Sequence, residues 1–303
     1  MDSISVVRLR GSSPTVREGV GLPLMVMNFI AKMLRRLWNR PMNGNPRFPD
    51  IQFVIQTEEE AVRVTDENLG QLPVAVTRTI NMLLRLQYCH GYLEPVSTDR
   101  GTFQVYCVGQ YAQAIYTLLT AFRLWRQANY LESWVLIRHL FEVFVQMRYF
   151  ERHPEQRMQH TISQTQRGRV QFRTMFDELS THAYDQIYRF PLSRFAHGNA
   201  NLLFRGEFFA PEAADSTGRM RPIMGCQFDR RQANLCYFFI ANIALGLLNC
   251  YSTFFPQSII TDDSELQARL GAIQQELQTQ IDFVRSGSEA NEFHEAMASL
   301  IAP

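Results

Sequence analysis

Lysine is nearly missing from this 303-residue chain: Lys32 stands alone beside 29 arginines. A GC-rich genome would give this skew, which leaves a surface of planar guanidinium forks suited to carboxylates and phosphates. An excess of either charge is missing too. Thirty basic against 29 acidic side chains leave +1, so no global field advertises nucleic acid or an anionic membrane. The five cysteines (Cys89, Cys107, Cys226, Cys236 and Cys250) are odd in number and form no C-x-x-C pair. Cys107, Cys236 and Cys250 fall in apolar helical patterns and read as small core residues in a reducing, cytoplasmic setting. His90 beside Cys89 is the nearest approach to a metal pair, but adjacent helical residues diverge by about 100°, so no metal site is expected. No G-x-S-x-G, P-loop or dinucleotide fingerprint occurs, which disfavours serine-hydrolase and nucleotide-dependent chemistry. No cofactor is expected.

What the chain does have is apolar surface, 46% of its residues with 22 phenylalanines. The stretch Tyr130–Arg152, YLESWVLIRHLFEVFVQMRYFER, is about six helical turns long. It is apolar over most of its circumference, as a buried helix is. On a helical projection, Glu132, Arg138, His139, Glu142 and Gln146 fall within about a third of the circle. A charged stripe on such a helix must be paired, hydrated or used. Arg138 and Glu142, four apart, are in reach of each other. They make either a buried structural ion pair supported by His139 and Gln146, or an anion grip in which Glu142 orients Arg138.

A second run, Ala233–Phe255, has 23 residues without a charge. Its Asn234, Asn242, Asn249 and Ser252 share one face, so it reads as a buried bundle helix rather than a membrane span. The segment Gly21–Trp38 is apolar but short, then basic at Lys32, Arg35 and Arg36. It is a candidate docking helix for a partner protein or a second copy of the chain, with intramolecular core and an interfacial membrane helix as alternatives.

The remaining organisation is helical. Residues 1–50 read as an N-terminal arm ending in the Pro-, Gly- and Asn-rich linker NRPMNGNPRFPD, and residues 51–303 as a helical bundle domain. Ile51–Gln56 is β-branched and reads as a short strand or extended lead-in, with Thr57 and three glutamates starting a helix after it. Pro73 opens a helix expected to reach Glu94. Phe103–Ala128 is a long helix with Val105, Val108, Tyr111, Ala112, Ile115, Leu118, Leu119 and Phe122 inward. Asn129 breaks it before the Tyr130 helix, and the two should lie antiparallel. His153-Pro154 ends that helix. Tyr184–Phe190 is a short helix stopped by Pro191, and Arg205–Phe228 an irregular loop or small hairpin. Asp229 caps the asparagine-striped helix. Asp262-Asp263-Ser264-Glu265 is a capping signature before a helix with Leu266, Leu270, Ile273, Leu277, Ile281 and Val284 on one face. The expected architecture is all-α, a helical bundle of roughly seven to ten helices.

Two Arg–His groupings carry possible chemistry: Arg148 with His153 at a helix end, and Arg194 with His197-Gly198. Between Arg148 and Arg173, the arginines 148, 152, 157, 167, 169 and 173 face two glutamates, a net +4 in 26 residues. Arg152, Arg157, Arg167, Arg169 and Arg173 thus form a candidate phosphate-contacting strip, or simply a solvated helix face.

A helical bundle carrying an arginine, a short gap and a histidine resembles the HEPN superfamily (higher eukaryotes and prokaryotes nucleotide-binding). The resemblance spans Phe103–Phe255, and uncharacterised bacterial helical proteins share its LIRHLFEVFVQMRYF pattern followed by a His-Gly turn. It implies a metal-independent ribonuclease of a bacterial toxin or antiviral defence system. Two copies would each bring an arginine for the scissile phosphate and a histidine for proton transfer. Arg148 and His153 match the spacing, with Tyr149 where a small polar residue usually stands. His197-Gly198 matches the family's ending, but Leu192 occupies the arginine position and Arg194 and Arg189 lie only nearby. The alternative is a non-catalytic helical scaffold or adaptor that binds a partner protein, with RNA or DNA as a further candidate ligand.

Overall fold

The computed structural model describes residues 51–157, 170–180, 183–193, 228–256, 258, 260, 263–286 and 289–302. The proposed docking helix 21–38, the linker after it, the loop 205–227 and residues Arg167, Arg169, Arg194 and His197 lie outside that set. Among the described residues every regular element is helical and none is a strand. In chain order these are α1 (Ile51–Leu69), α2 (Leu72–Leu86), α3 (Asp99–Arg126), α4 (Tyr130–Arg152), α5 (Phe172–Leu179), a π-helical segment (Tyr184–Leu192), α6 (Arg230–Asn249), α7 (Tyr251–Phe254), α8 (Ser264–Ser286), a 3₁₀ turn (Glu289–Phe293) and α9 (His294–Ile301). The chain is an all-α bundle.

Helix boundaries follow their capping residues. The Thr98 hydroxyl accepts from the Gly101 amide at 2.9 Å and starts α3 four residues before the expected Phe103. Gly101 is required there, since a Cβ would sit 2.0 Å from the Pro95 carbonyl oxygen. Asp229 Oδ1 accepts from Gln232 N at 2.8 Å and Asp263 Oδ1 from Leu266 N at 2.9 Å, so both aspartates cap as their sequences predict. Asn129 precedes α4, whose bounds match the expectation. Three bonds show that α3 and α4 run antiparallel: Ser133 to Ala121, His139 to Gln113 and Gln146 to Tyr106.

Four local expectations are corrected. The short helix expected over Tyr184–Phe190 with a stop at Pro191 is a π-helical segment that runs on through Pro191 to Leu192. Ile51–Gln56 is the first part of α1, not a strand, and Thr57 lies inside that helix with its hydroxyl bonded to the Val54 carbonyl at 2.7 Å. Among the described residues no strand lies beside this run, and the helix satisfies its backbone internally. The second helix ends at Leu86 rather than Glu94. The Tyr88 and Cys89 amides turn back to the Arg85 and Leu86 carbonyls, and Gly91 takes a left-handed φ of 71°. On α3 the buried side runs through Phe103, Cys107, Tyr111, Ala114, Leu118 and Trp125, leaving Val105 exposed.

The asparagine-striped helix, α6, is the axle. It packs against α2, α3, α4, α8 and α9, and nearly every residue from Leu235 to Leu248 is buried. Trp125 of α3 bonds the Ala233 carbonyl at 2.8 Å, and Phe144 of α4 fits against Gly246, where a Cβ would come within 2.8 Å of its ring. Asn249 receives Gln274 Nε2 at 2.9 Å and donates to the Ile301 carbonyl at 3.3 Å. Asn242 instead bonds back to Phe238 within its own helix, and Ser252 faces solvent after the bend at Cys250. Among the described residues α6 alone is long and apolar enough to cross a membrane, and 83% of that window is buried inside the bundle.

Candidate functional site

Helix α4 meets α5 and the π-helical segment along one side, and its polar arc divides there. Arg138 and Glu142 close on each other at 3.1 Å as the i, i+4 spacing predicts, both about a quarter to a third exposed at 23% and 32%. Their third member is Tyr188, from the π-helical segment, which local sequence gives no reason to place here. The Tyr188 hydroxyl donates to Glu142 Oε1 at 2.5 Å and accepts from Arg138 Nη2 at 2.8 Å. The guanidinium also lies 5.1 Å above the Tyr188 ring.

Charge and burial act in opposite directions in this cluster. Burial opposes the Arg138 charge, but the Tyr188 hydroxyl and the Glu142 carboxylate outweigh it and hold Arg138 above the ordinary arginine range. Burial, then the hydrogen bond to Glu142, pushes the Tyr188 hydroxyl up to about 12. The proton therefore stays on tyrosine, and the cluster is a locked ion pair with a neutral bridge.

The rest of the arc faces α3. His139 lies 3.2 Å from the Gln113 amide nitrogen, and Tyr106 bonds Gln146 at 3.2 Å. Glu132 is exposed. Beyond Gln146, the Arg157 guanidinium stacks 3.8 Å from the Tyr106 ring centre and 5.6 Å from that of Phe150. Burial lowers its pKa below the ordinary arginine value.

Arg148 and His153 turn to different neighbours. Arg148 is 2% exposed and donates through Nη2 to the Ala302 carbonyl at 2.6 Å, tying α4 to the residue after α9. Its Nε is buried without a hydrogen-bond partner among the described residues. His153 is partly exposed at the end of α4. Its Nε2 bonds Glu178 of α5, its Nδ1 lies 3.7 Å from Glu155, and its ring stacks on Tyr149 at 4.8 Å. Of the arginine strip, Arg173 pairs with Asp185 at 3.0 Å and Asp177 at 3.4 Å, while Arg152 is exposed on the last turn of α4.

Among the described residues no three His, Cys, Asp or Glu side chains converge as a metal-binding set. Sequence reasoning missed Tyr188, Tyr106 and Gln113, since each meets the α4 arc only through packing between helices.

Fold and site together define an all-α bundle with a half-buried Arg–Tyr–Glu lock on its charged core helix. No protein-family model, no curated protein and no solved structure matches this chain.

Proposed function

We propose that the protein is a non-catalytic helical scaffold or adaptor. The observation that carries this reading is the placement of Arg148. A guanidinium buried against the Ala302 carbonyl serves the fold and is withdrawn from any phosphate outside it. Two further features agree. His153 sits between the carboxylates of Glu155 and Glu178, which repel a polyanion, and Asp177 and Asp185 neutralise Arg173. The sequence offers the amphipathic stretch 21–38 as the element that docks a partner protein or a second copy.

A second reading keeps the HEPN-like ribonuclease of a defence or toxin system. It is favoured by the partial exposure of His153 next to the exposed Arg152. A histidine already oriented by a glutamate is equipped to move a proton.

One experiment separates the two. Purified protein is incubated with total RNA and a chelator, beside His153→Ala and His197→Ala. The scaffold reading expects intact RNA in all three samples, and cleavage lost in either variant overturns it in favour of the ribonuclease. The docking element is tested by light scattering. Val26→Asp should abolish assembly while the helix content of the chain is kept, and assembly unchanged by that substitution removes 21–38 from the interface.

A further inference from the structure

Residues 87–98 connect α2 to α3 over the surface of the bundle. They expose Tyr88 and Tyr92, at 83% and 90%, but turn His90 inward. Its ring stacks 4.2 Å from Phe255 and 5.9 Å from Tyr251, with Tyr111 of α3 edge-on at 6.4 Å.

The hydrogen bonds fix the tautomer. The Tyr251 hydroxyl has one proton, and it donates that proton to the Leu86 carbonyl at 2.7 Å, because a carbonyl can only accept. His90 Nδ1 lies 3.2 Å from the same hydroxyl oxygen, so it must be the donor in that contact. The neutral ring therefore carries its proton on Nδ1. Nε2 is left as a bare lone pair, buried and without a partner among the described residues.

We infer that His90 is an acid-sensitive latch, holding the first half of the 87–98 connector over an aromatic floor of Tyr111, Tyr251 and Phe255 while neutral and releasing it when protonated. A proton arriving at Nε2 creates a buried N–H donor that has no hydrogen-bond partner among the described residues, and a cation among aromatic rings. The titratable groups around the ring do not compensate. Tyr111 on α3 and Tyr251 on α7 are both pushed above the ordinary tyrosine range by burial and stay neutral. Cys89, the adjacent residue, is raised by burial and then by Asp263, and is also neutral. Asp263 acts on Cys89, and no carboxylate pairs with the His90 ring among the described residues. Burial alone lowers the His90 pKa.

With its folded pKa below the unfolded value, the closed connector is fully favoured above that unfolded value and loses favour as pH falls through the folded one. The second half stays attached, because the Glu94 amide bonds Gln104 Oε1 at 2.7 Å and Gly101 packs on the Pro95 carbonyl. Opening is therefore local and uncovers the aromatic floor without dismantling α3.

Amide hydrogen exchange of the full chain, corrected for the intrinsic rate and compared at about pH 7.5 and about pH 5.5, tests the latch. A several-fold rise in exchange confined to residues 88–93 at the lower pH is expected. It should vanish in His90→Phe, which keeps the ring and cannot take a proton. No rise in the wild type, or an equal rise in His90→Phe, overturns the inference. Should His90→Phe fail to fold, the wild-type imidazole nitrogen shifts decide. A proton on Nδ1 with titration below the ordinary histidine range supports the latch, and a proton on Nε2 or ordinary titration ends it.

Discussion

The Tyr188 hydroxyl receives both Arg138 Nη2, at 2.8 Å, and Arg138 Nε, at 3.1 Å, across 50 residues of sequence. That contact fastens the π-helical segment to the charged side of α4, and Glu142 completes it by accepting the tyrosine proton's hydrogen bond. A π-helical stretch of this length is rare, and side-chain fastening of this kind counts for its position.

Tyr188→Phe keeps the ring under the guanidinium and deletes the hydroxyl bridge. The expected cost is about 1–2 kcal/mol, a fall in melting temperature of roughly 2–8 °C for a bundle of this size. Calorimetry checks it. Glu142→Gln should cost less than Glu142→Ala, because the amide oxygen still accepts from Tyr188. Equal melting temperatures for both variants and the wild type would show that the lock contributes nothing.

Alkaline pH should act on the same contact. The folded Tyr188 pKa, about 12, lies above the ordinary tyrosine value. Its contribution is therefore complete below about pH 10 and lost as pH rises toward the folded value. The gap in urea midpoint between wild type and Tyr188→Phe should narrow as pH rises from about 10 toward about 12. A gap that stays constant contradicts the raised pKa.

Arg148 separates volume from charge. Arg148→Met retains most of the buried bulk and sheds a desolvated cation, so it should cost under about 1.5 kcal/mol. Arg148→Ala leaves a cavity beneath the chain end and should cost about 2–4 kcal/mol. Both lose the bond to Ala302, so amides 297–302 should exchange faster in each variant. If methionine and alanine destabilise equally, the guanidinium bond outweighs packing at this position.

Two helical glycines should respond with opposite sign. Gly246→Ala drives a Cβ to 2.8 Å from the Phe144 ring and 3.0 Å from Ile301, and should destabilise by about 1–3 kcal/mol. Gly109→Ala, on the exposed side of α3 with no atom within 4 Å, should stabilise by roughly 0.4–1 kcal/mol. Denaturant midpoints measure both. A neutral Gly246→Ala would mean that α4 and α6 can separate at little cost.

Periodicity and capping residues made much of the fold legible. Asp229 and Asp263 cap helix starts with their carboxylates, Asn129 stands at the break before α4, and α4 occupies the 130–152 stretch that its apolar pattern outlines. Where the signal was ambiguous, the local reading failed. Ile51–Gln56 is as β-branched as a strand, and Tyr88–Glu94 continues a helical pattern that the structure abandons at Leu86. The i, i+4 pair Arg138–Glu142 was visible because one helix turn makes it. The partner of Arg148 was not, because it is the Ala302 backbone carbonyl 154 residues away.

The amino-acid sequence alone determined an all-helical chain, most of its helix starts, and which helices had to be buried. These are properties of hydrogen bonds and side-chain spacing within a few residues. Tertiary structure decided that α6 gathers α2, α3, α4, α8 and α9 around it, that Tyr188 locks the charged arc, and that Arg148 and His153 turn to different neighbours. Those outcomes depend on which helix faces pack together, and distant residues meet only when the whole core is assembled.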